Sequence, residues 1–396
     1  MIKKQIVDKQ YKDLPKKVIF CKNCVVSNQR PRTEFNADGI CSACQWAMEK
    51  NSKVDWTKRE KELEELCNKY RSNNGNFDVI VPGSGGKDSA FVAHQLKYKY
   101  NMRPLCVTWA PFHYTNIGLE NLNEFIKSGF TNITGQTNGN FHRKLSKLCF
   151  ETLGDMWQPF TYGQKSWAFH MALKFNIKLI MYGENGELEY GGNTKYKNLQ
   201  KEGPEEWEKN YLKGNNIDKI VEIGLQKKVF KKKEVTESEL QFYRSPNPEI
   251  ITKSKTQMHW FSYYKKWIPQ ENYYYAVKHT GFKPNPEGRS AGTYTKYTSL
   301  DDMCDGIHWY QAYSKFGMGR ASRDAQQDIR MNHITRKEGQ ALVKKYDHEV
   351  PKRDLKFFLN YVNIDESYFW EVINLYKSAS NVWKKENKKW ILKFLP

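Results

Sequence analysis

A strand, a turn of small residues and a helix follow one another at residues 77–89, and this segment constrains the fold more than any other. Residues 77–82 form an apolar, β-branched run, and residues 83–89 read Gly-Ser-Gly-Gly-Lys-Asp-Ser. Turn residues with small side chains let backbone N–H groups approach an anion, and the following helix directs the positive end of its dipole at the same place. The segment therefore predicts a phosphate-binding loop at the end of a buried strand.

The side chains of this loop add donors and a metal ligand. Lys87 and the hydroxyls of Ser84 and Ser89 can donate to phosphate oxygens, and Asp88 can hold Mg²⁺ beside them. The loop is not a Walker A motif, which has four residues between its first glycine and Gly-Lys-Ser/Thr. An ordinary glycine turn is the alternative. We predict that the phosphates contact a set of six residues: Ser84, Gly85, Gly86, Lys87, Asp88 and Ser89.

Four of the eight cysteines form two Cys-x-x-Cys pairs. Cys21 and Cys24 make the first pair, and Cys41 and Cys44 follow after sixteen intervening residues. This is the spacing of a four-cysteine zinc site, and four thiolates leave no open position for a substrate. Disulfides are disfavoured because we infer a reducing compartment and because the loop inside each pair is short. An iron–sulfur cluster is the other alternative. We predict a structural Zn²⁺.

Apolar strands alternate with amphipathic helices from residue 76 onward. Strands are predicted at 77–82, 105–109, 131–134 and 177–182, and helices at 90–96, 120–129, 141–153 and 167–175. One further helix, at 54–71, is predicted before this region. The alternation predicts an α/β fold with a doubly wound parallel sheet, an N-terminal zinc knuckle and a mostly helical C-terminal region. We divide the chain into a zinc module with its helix (1–75), a core (76–200) and a C-terminal region (201–396).

The strand ending at Tyr182 opens into a second polar segment, residues 183–192, which contains three carboxylates and an asparagine. Ligands of open α/β sheets bind at the carboxyl ends of the strands, so these side chains are predicted to hold Mg²⁺ or substrate hydroxyls. A solvated acidic loop is the alternative. Gly183 and Thr108, at the ends of two strands, are predicted to line the nucleotide pocket. The remaining candidates are Glu184 as a catalytic residue and, for substrate binding, Asn185, Glu187, Glu189 and Tyr190.

The net charge of +20 does not identify a partner. The lysines are spread along the whole sequence, so a solvated surface explains them as well as a binding patch does, and we expect no nucleic-acid partner. The chain has no run of 18 apolar residues and its N-terminus lacks the apolar core of a signal peptide, so we expect no membrane span and a cytoplasmic protein. The lysine-rich tail from Asn381 is predicted to form a terminal helix docked on the core, with membrane or partner contact as alternatives.

The loop resembles that of the ATP pyrophosphatase superfamily, which cleaves ATP between the α- and β-phosphates. The whole chain resembles the N-acetyl sugar amidotransferase family, which is assigned to acetamidino sugars of bacterial surface glycans. The resemblance covers most of the length and is carried by these segments: 21–44, 83–89, 182–192, 292–302, 315–321 and 333–336.

That resemblance implies an amidine-forming ligase. ATP would adenylate the acetamido carbonyl of an N-acetylated sugar, nucleotide-linked or a nonulosonic acid, and ammonia would displace AMP. The chain has no glutaminase signature, so the ammonia would come from a separate glutaminase subunit or from free ammonium. The resemblance also singles out Lys296 and Arg320 as catalytic residues beside Lys87, Asp88 and Glu184. Arg323 and Arg330 are further candidate ligands for pyrophosphate or an anionic sugar, and surface salt bridges are the alternative role for all these late basic residues.

Two other functions fit parts of the sequence. A tRNA-thiolating enzyme would share the adenylation step, the zinc knot and a basic surface, but it usually needs a cysteine pair or a cysteine-held cluster near ATP. The isolated cysteines offer no clear pair: Cys67, Cys106, Cys149 and Cys304. A non-catalytic zinc-ribbon scaffold would leave both the phosphate loop and the acidic segment unexplained.

Overall fold

A six-stranded sheet lies at the centre of the fold, with the strand of the 83–89 loop inside it. The computed structural model describes residues 6–203, 206 and 210–396. The strands are β1 (Val79–Pro82), β2 (Pro104–Trp109), β3 (Thr131–Gly135), β4 (Leu179–Tyr182), β5 (Lys201–Glu202) and β6 (Gln257–Trp260). Their spatial order is β3-β2-β1-β4-β6-β5, and only β5 runs antiparallel to its neighbour. The predicted α/β class with a mostly parallel sheet is confirmed.

Helices link the strands and make up most of the C-terminal region. Up to β6 they are α1 (Lys9–Lys12), α2 (Ser42–Ser52), α3 (Trp56–Tyr70), α4 (Lys87–His94), α5 (Asn116–Lys127), α6 (Gly139–Leu153), α7 (Gln158–Lys174), α8 (Gly186–Tyr190), α9 (Ile217–Gln226), α10 (Glu237–Leu240) and α11 (Pro248–Ser254). A π-helical turn, Gln95–Lys99, continues α4, and 3-10 turns lie at Thr194–Asn198 and Lys232–Glu234. After β6 come α12 (Phe261–Tyr264), α13 (Pro269–Thr280), α14 (Asp305–Phe316), α15 (Arg320–Arg330), α16 (Arg336–Tyr346), α17 (Lys352–Val362) and α18 (Glu366–Ala379).

Polar residues at the first turn determine where several helices begin. The Asp55 carboxylate accepts the Lys58 N–H at 2.9 Å at the start of α3, and the Thr115 hydroxyl accepts the Gly118 N–H at 2.9 Å at the start of α5. Thr335 and Glu338 form a reciprocal capping box at α16. Each cap satisfies backbone donors that the helix itself cannot satisfy.

The sheet is buried on both faces because alternate residues of each strand enter different apolar clusters. One face packs against α6 and α7 through strand residues that include Ile80, Leu105, Val107 and Ile180. The other packs against α4 through residues that include Val79, Val81, Cys106 and Leu179. Continuous apolar strands of this kind are typical of parallel sheets covered by helices on both sides.

The three predicted parts of the chain are interleaved in the structure. The sheet extends past residue 200, the end of the predicted core, because β5 and β6 complete it. The cysteine module packs on α15 and α16, which follow it by about three hundred residues, through Ala325, Ile329 and Val343. The carboxyl ends of the parallel strands all lie at the same edge of the sheet, next to these C-terminal helices.

The tail forms a hairpin, so the predicted terminal helix is wrong. Strands β7 (Trp383–Glu386) and β8 (Lys389–Leu392) pair antiparallel. Asn387 and Lys388 join them with φ angles of 44° and 64°, the left-handed values that a tight hairpin turn requires. Trp383 anchors the hairpin, since its side chain is buried and its Nε1–H donates to the Ser314 carbonyl at 2.8 Å. Among the described helices, none combines the length and apolar character needed to cross a bilayer.

Gly163 offers a test of the packing between α7 and the sheet. A Cβ atom at this position would lie 1.9 Å from the Trp109 ring, so Gly163→Ala must displace the ring or the helix and is expected to lower the free energy of unfolding by about 1–3 kcal/mol or more. Gly139→Ala, in the first turn of α6 with no atom within 4 Å of the new methyl group, is the matched control. Chemical denaturation of both variants is the measurement. Equal stability of the two would contradict the packing.

Candidate active site

A cavity of about 700 Å³ opens at the carboxyl edge of the sheet. Several separate parts of the chain form its wall. These include the cysteine module, the 83–89 loop, residues between 154 and 168, the segment after β4, residues between 210 and 213, and the C-terminal region from Tyr297 onward. The lining combines aromatic rings with charged side chains of both signs, which suits a polar ligand that also presents a flat or apolar face.

The 83–89 loop forms one side of this cavity. Gly85 has a φ of 80°, and a Cβ there would lie 2.7 Å from the Leu122 backbone, so only glycine allows the loop to pack this closely on α5. Helix α4 then begins at Lys87, and the N–H groups of its first turn have no partner within the helix. Lys87 is 9% exposed and forms an ion pair with Asp88. The arrangement can bind an anion.

Carboxylates stand beside the loop. Asp301 accepts a hydrogen bond from the Ser84 hydroxyl, and burial raises the pKa of Asp301 to about 6. Burial and the nearby Asp88 also raise the pKa of Glu184, whose Oε1 accepts the Tyr190 hydroxyl at 2.9 Å. Asp88 itself accepts from Asn272 at 2.9 Å. Carboxylate oxygens are the ligands that Mg²⁺ prefers, and a bound cation would offset the cost of ionising these acids.

The carboxylates after β4 have two different environments. Glu187 accepts both Nε and Nη2 of Arg32, at 3.1 and 2.6 Å, and is 1% exposed at the cavity wall. Glu189 is 3% exposed, pairs with Lys50 Nζ at 2.7 Å and accepts Trp46 Nε1–H at 3.0 Å. Both acids therefore attach α8 to the cysteine module.

The predicted site residues divide into two groups. Those that border the cavity are Ser84, Gly86, Lys87, Asp88, Ser89, Gly183, Glu184, Glu187, Tyr190, Arg320 and, among the further candidates, Arg323. Those that do not are Gly85, Thr108, Asn185, Glu189, Lys296 and, among the further candidates, Arg330.

Each residue outside the cavity has another role or environment. Thr108 lies below the loop and donates to the Gly83 carbonyl at 2.6 Å. Asn185 caps α8 by accepting the Glu187 N–H at 3.0 Å. Lys296 is exposed, with its Nζ 5.9 Å from the centre of the Tyr273 ring. The substrate role predicted for Asn185 and Glu189 and the catalytic role predicted for Lys296 therefore have no contact with the cavity to support them.

The four clustered cysteines form one compact group. The Cys21–Cys44 and Cys24–Cys41 sulfur pairs are 3.9 and 3.8 Å apart, close to the roughly 3.8 Å that tetrahedral Zn–S bonds of about 2.3 Å give. All eight cysteines are free of disulfides. Ligand atoms that all lie within 4.8 Å of one another have the spacing that a single ion requires. The group could hold zinc, and elsewhere in the described residues no other set of three His, Cys, Asp or Glu side chains meets this distance.

Arg330 connects the cysteines to α8. Its guanidinium lies 3.6 Å from Cys24 Sγ and 3.9 Å from Cys41 Sγ, and it donates to the Glu189 carbonyl at 2.8 Å. A buried cation at this place offsets the negative charge that four thiolates bring to a zinc ion. Arg330 therefore acts on the metal group and not on the cavity.

Sequence reasoning missed several residues of the cavity wall. Arg30 and Arg32 come from the stretch between the two cysteine pairs, in which the sequence predicts no site residue. Asp155, Lys213 and His308 form a linked group that also borders the cavity: Asp155 binds Lys213 and accepts His308 Nδ1–H at 2.9 Å. An Asp directly after a helix-ending glycine was the available signal for Asp155. Nothing in the sequence brings it together with His308.

The Lys50–Glu189 pair offers a test of the attachment of α8 to the cysteine module. Glu189→Gln leaves the Lys50 ammonium buried without a counter-charge and is expected to lower the free energy of unfolding by about 3–5 kcal/mol. Glu124→Gln, which removes the exposed partner of Lys127, is the matched control and is expected to change little. Denaturation curves, with metal content measured on each variant, check both. Wild-type stability of Glu189→Gln would show that the pair does not hold α8.

Two comparisons with known proteins match parts of the chain. Residues 291–395 match the family described as LPS biosynthesis protein WbpG-like, C-terminal domain. An uncharacterized protein of Methanocaldococcus jannaschii, MJ1599, is 31% identical over 88 residues, which are 22% of this chain and 31% of that protein. The chain thus covers about a third of the length of this curated relative. The first match relates the C-terminal region to glycan biosynthesis, and it contains the cavity residues Tyr297, His308, Trp309, Arg320 and Arg323.

Proposed function

We propose that this chain is an ATP-dependent amidotransferase that converts the acetamido group of an N-acetylated sugar into an acetamidino group. One observation carries the proposal. The 83–89 loop and the segment that matches a lipopolysaccharide biosynthesis family line the same cavity. A loop suited to phosphate and a segment that matches a glycan-biosynthesis family border one cavity. This supports a reaction in which ATP activates a sugar. We assign the reaction to the cytoplasm, where ATP is available.

The first step would activate the amide. The acetamido oxygen attacks the α-phosphorus of ATP, the bond to the β-phosphate oxygen breaks, and pyrophosphate leaves. An amide is a poor electrophile, and a phosphate ester on its oxygen is a good leaving group. The amides at the start of α4, Lys87 and the hydroxyls of Ser84 and Ser89 are available to stabilise charge on the phosphates. Asp88 and Glu184 would hold Mg²⁺, which neutralises phosphate charge when bound.

The second step would form the amidine. Ammonia attacks the activated carbon and AMP leaves with the former carbonyl oxygen. The activated imidate hydrolyses if water enters, so the cavity has to close around it. Aromatic side chains on the wall, among them Trp157, Tyr190 and Trp309, would pack on the sugar and limit water. We assign the ammonia supply to a separate glutaminase subunit.

The structure also bears on the tRNA-thiolating alternative. That chemistry needs a reactive cysteine close to the adenylated base. The four cysteines outside the metal group are buried, and burial raises the pKa of each thiol: Cys67, Cys106, Cys149 and Cys304. None of them borders the cavity. These observations favour the sugar amidotransferase.

The cysteine group would hold a structural Zn²⁺, and its content is directly measurable. One zinc per chain is expected by elemental analysis of the purified protein, and Cys41→Ser is expected to reduce it and to destabilise the fold, because the ion ties together two loops that have little core of their own. Cys67→Ser, a buried cysteine outside the group, is the matched control and should keep full zinc content. Iron with visible absorbance in place of zinc would contradict this assignment.

The role of Lys87 is tested by sugar-dependent AMP formation. Wild-type protein is incubated with ATP, Mg²⁺, ammonium chloride and either UDP-N-acetylglucosamine or N-acetylneuraminic acid, and AMP and the amidine product are quantified. Lys87→Ala is expected to lower AMP formation about 10²- to 10³-fold, because it removes a cation that faces the phosphates, while zinc content stays unchanged. Lys296→Ala, an exposed lysine outside the cavity, should keep wild-type rates. AMP formation that depends on tRNA and not on sugar would overturn the proposed function.

A further inference from the structure

A histidine–aspartate pair on the cavity wall has no role in the reaction as described so far. His308 lies in the second turn of α14, and Asp155 lies in the bend between α6 and α7. His308 Nδ1 and Asp155 Oδ1 are 2.9 Å apart, and both residues border the cavity. The His308 side chain is 24% exposed, so the ring is held by the protein but remains accessible from the cavity.

The surroundings of Asp155 keep it ionised. Burial works to raise its pKa, but the positive charges around it, that of Lys213 first, outweigh burial and hold the pKa well below its usual value. Lys213 pairs with Asp155 Oδ2 and also donates to Gln158 Oε1 at 2.6 Å. The Trp157 N–H donates to Asp155 Oδ1 at 3.0 Å. Both carboxylate oxygens therefore have hydrogen-bond partners, and these partners fix the orientation of the carboxylate.

An ionised Asp155 fixes the tautomer of His308. The carboxylate accepts the Nδ1–H, so the lone pair of the neutral ring lies on Nε2. In the described part of the chain, Nε2 has no hydrogen-bond partner. The ring lies beside Trp157 and Trp309, with centroid distances of 5.6 and 5.0 Å, and these rings limit its rotation. A fixed imidazole with a free Nε2 on a cavity wall is the arrangement of a general base.

The amination step of the proposed function requires such a base. When ammonia forms its bond to the activated carbon, its nitrogen becomes cationic and has to lose one proton before the neutral nitrogen lone pair can expel AMP. The C–O bond then breaks and its electron pair leaves with the phosphate oxygen of AMP. Among the described residues that line the cavity, His308 is the only imidazole, and the carboxylates beside the phosphate loop are the groups suited to Mg²⁺.

We propose that His308, oriented by Asp155, accepts the proton from the attacking ammonia during amidine formation. The inference rests on the proposed function and assigns the amination step to residues other than those of the phosphate loop. Adenylation then depends on the residues of the 83–89 loop, and proton removal depends on His308 in α14. Substitutions in the loop and in α14 are therefore expected to affect different steps of the reaction.

The test measures the two steps independently. Adenylation is followed as sugar-dependent exchange of labelled pyrophosphate into ATP, and amination as amidine formed from ammonium chloride, with the sugar that supports turnover. His308→Ala is expected to keep exchange within a few-fold of wild type and to lower amidine formation about 10²- to 10⁴-fold. AMP released by hydrolysis should then exceed the amidine formed. Added imidazole is expected to restore part of the amidine formation, which a purely structural role of His308 would not allow.

Three further variants complete the experiment. Asp155→Asn should show the same selective loss, because an amide does not fix the tautomer as a carboxylate does. His308→Gln, which keeps the side-chain volume and polarity, replaces His308→Ala if the alanine variant does not fold. His348→Ala, an exposed histidine, is the matched control and should behave as wild type.

The outcomes separate this inference from the proposed function. If wild-type protein gives no sugar-dependent exchange, the proposed function fails and this inference fails with it. If wild-type protein is active and His308 variants lose exchange and amidine formation equally, or lose neither, or imidazole rescues nothing, then His308 is not the base, while the proposed function stands.

Discussion

Helix α8 is held by charges that come from another part of the chain, and the geometry of the cavity depends on this attachment. Arg32 binds Glu187 with two nitrogens, and Lys50 binds Glu189 at 2.7 Å. Arg330 donates to the Glu189 carbonyl while lying next to two of the cysteine sulfurs. Leu188 of this short helix also packs with Trp46 and Tyr196. The charged partners fix the direction of the helix, which a single apolar side chain does not do.

Buried ion pairs of this kind contribute more to specificity of position than to net stability. Removing a carboxylate and an ammonium from water costs several kcal/mol per ion, and their mutual attraction offsets this cost only when the geometry is good and other hydrogen bonds are satisfied. Glu189 meets that condition, since it also accepts from Trp46. An alternative placement of α8 would leave a charge buried and unpaired, so it is strongly disfavoured. The cysteine group thus acts on the cavity at a distance by fixing the residues that fix α8.

The sequence predicts the local parts of this structure well because their signals are local. The strand at 79–82, the loop after it and the cysteine quartet are each contained in a short stretch, and the helix at 56–70 follows from apolar spacing alone. Glu189 was a reasonable candidate for substrate binding, since it is a carboxylate after a strand end. Its true partner, Lys50, is 139 positions away, and no periodicity reveals such a pairing.

The other differences between the sequence-based predictions and the structure also have physical causes. Lys296 belongs to a turn in which neighbouring residues face opposite ways: Tyr297 borders the cavity and Lys296 faces solvent. Sequence order alone does not say which of the two points inward. In the tail, a terminal helix docked on the core is the commoner outcome and is predicted, but Asn387 and Lys388 adopt left-handed backbone angles and turn the chain back on itself. Two adjacent left-handed residues override the weak helix propensity on either side.

The cavity is assembled from segments that are distant in the chain, and this has a consequence for its chemistry. Arg30 and Arg32 come from the cysteine module, Lys87 from the loop, and His308 from α14, so the space exists only when all three parts are docked. The activated imidate of the proposed reaction would hydrolyse in open water, so its surroundings have to form before it does. A wall that buried ion pairs attach to the cysteine module meets this requirement before a substrate binds. Closure around a substrate would then need to move only the entrance, and the catalytic side chains would already be in place.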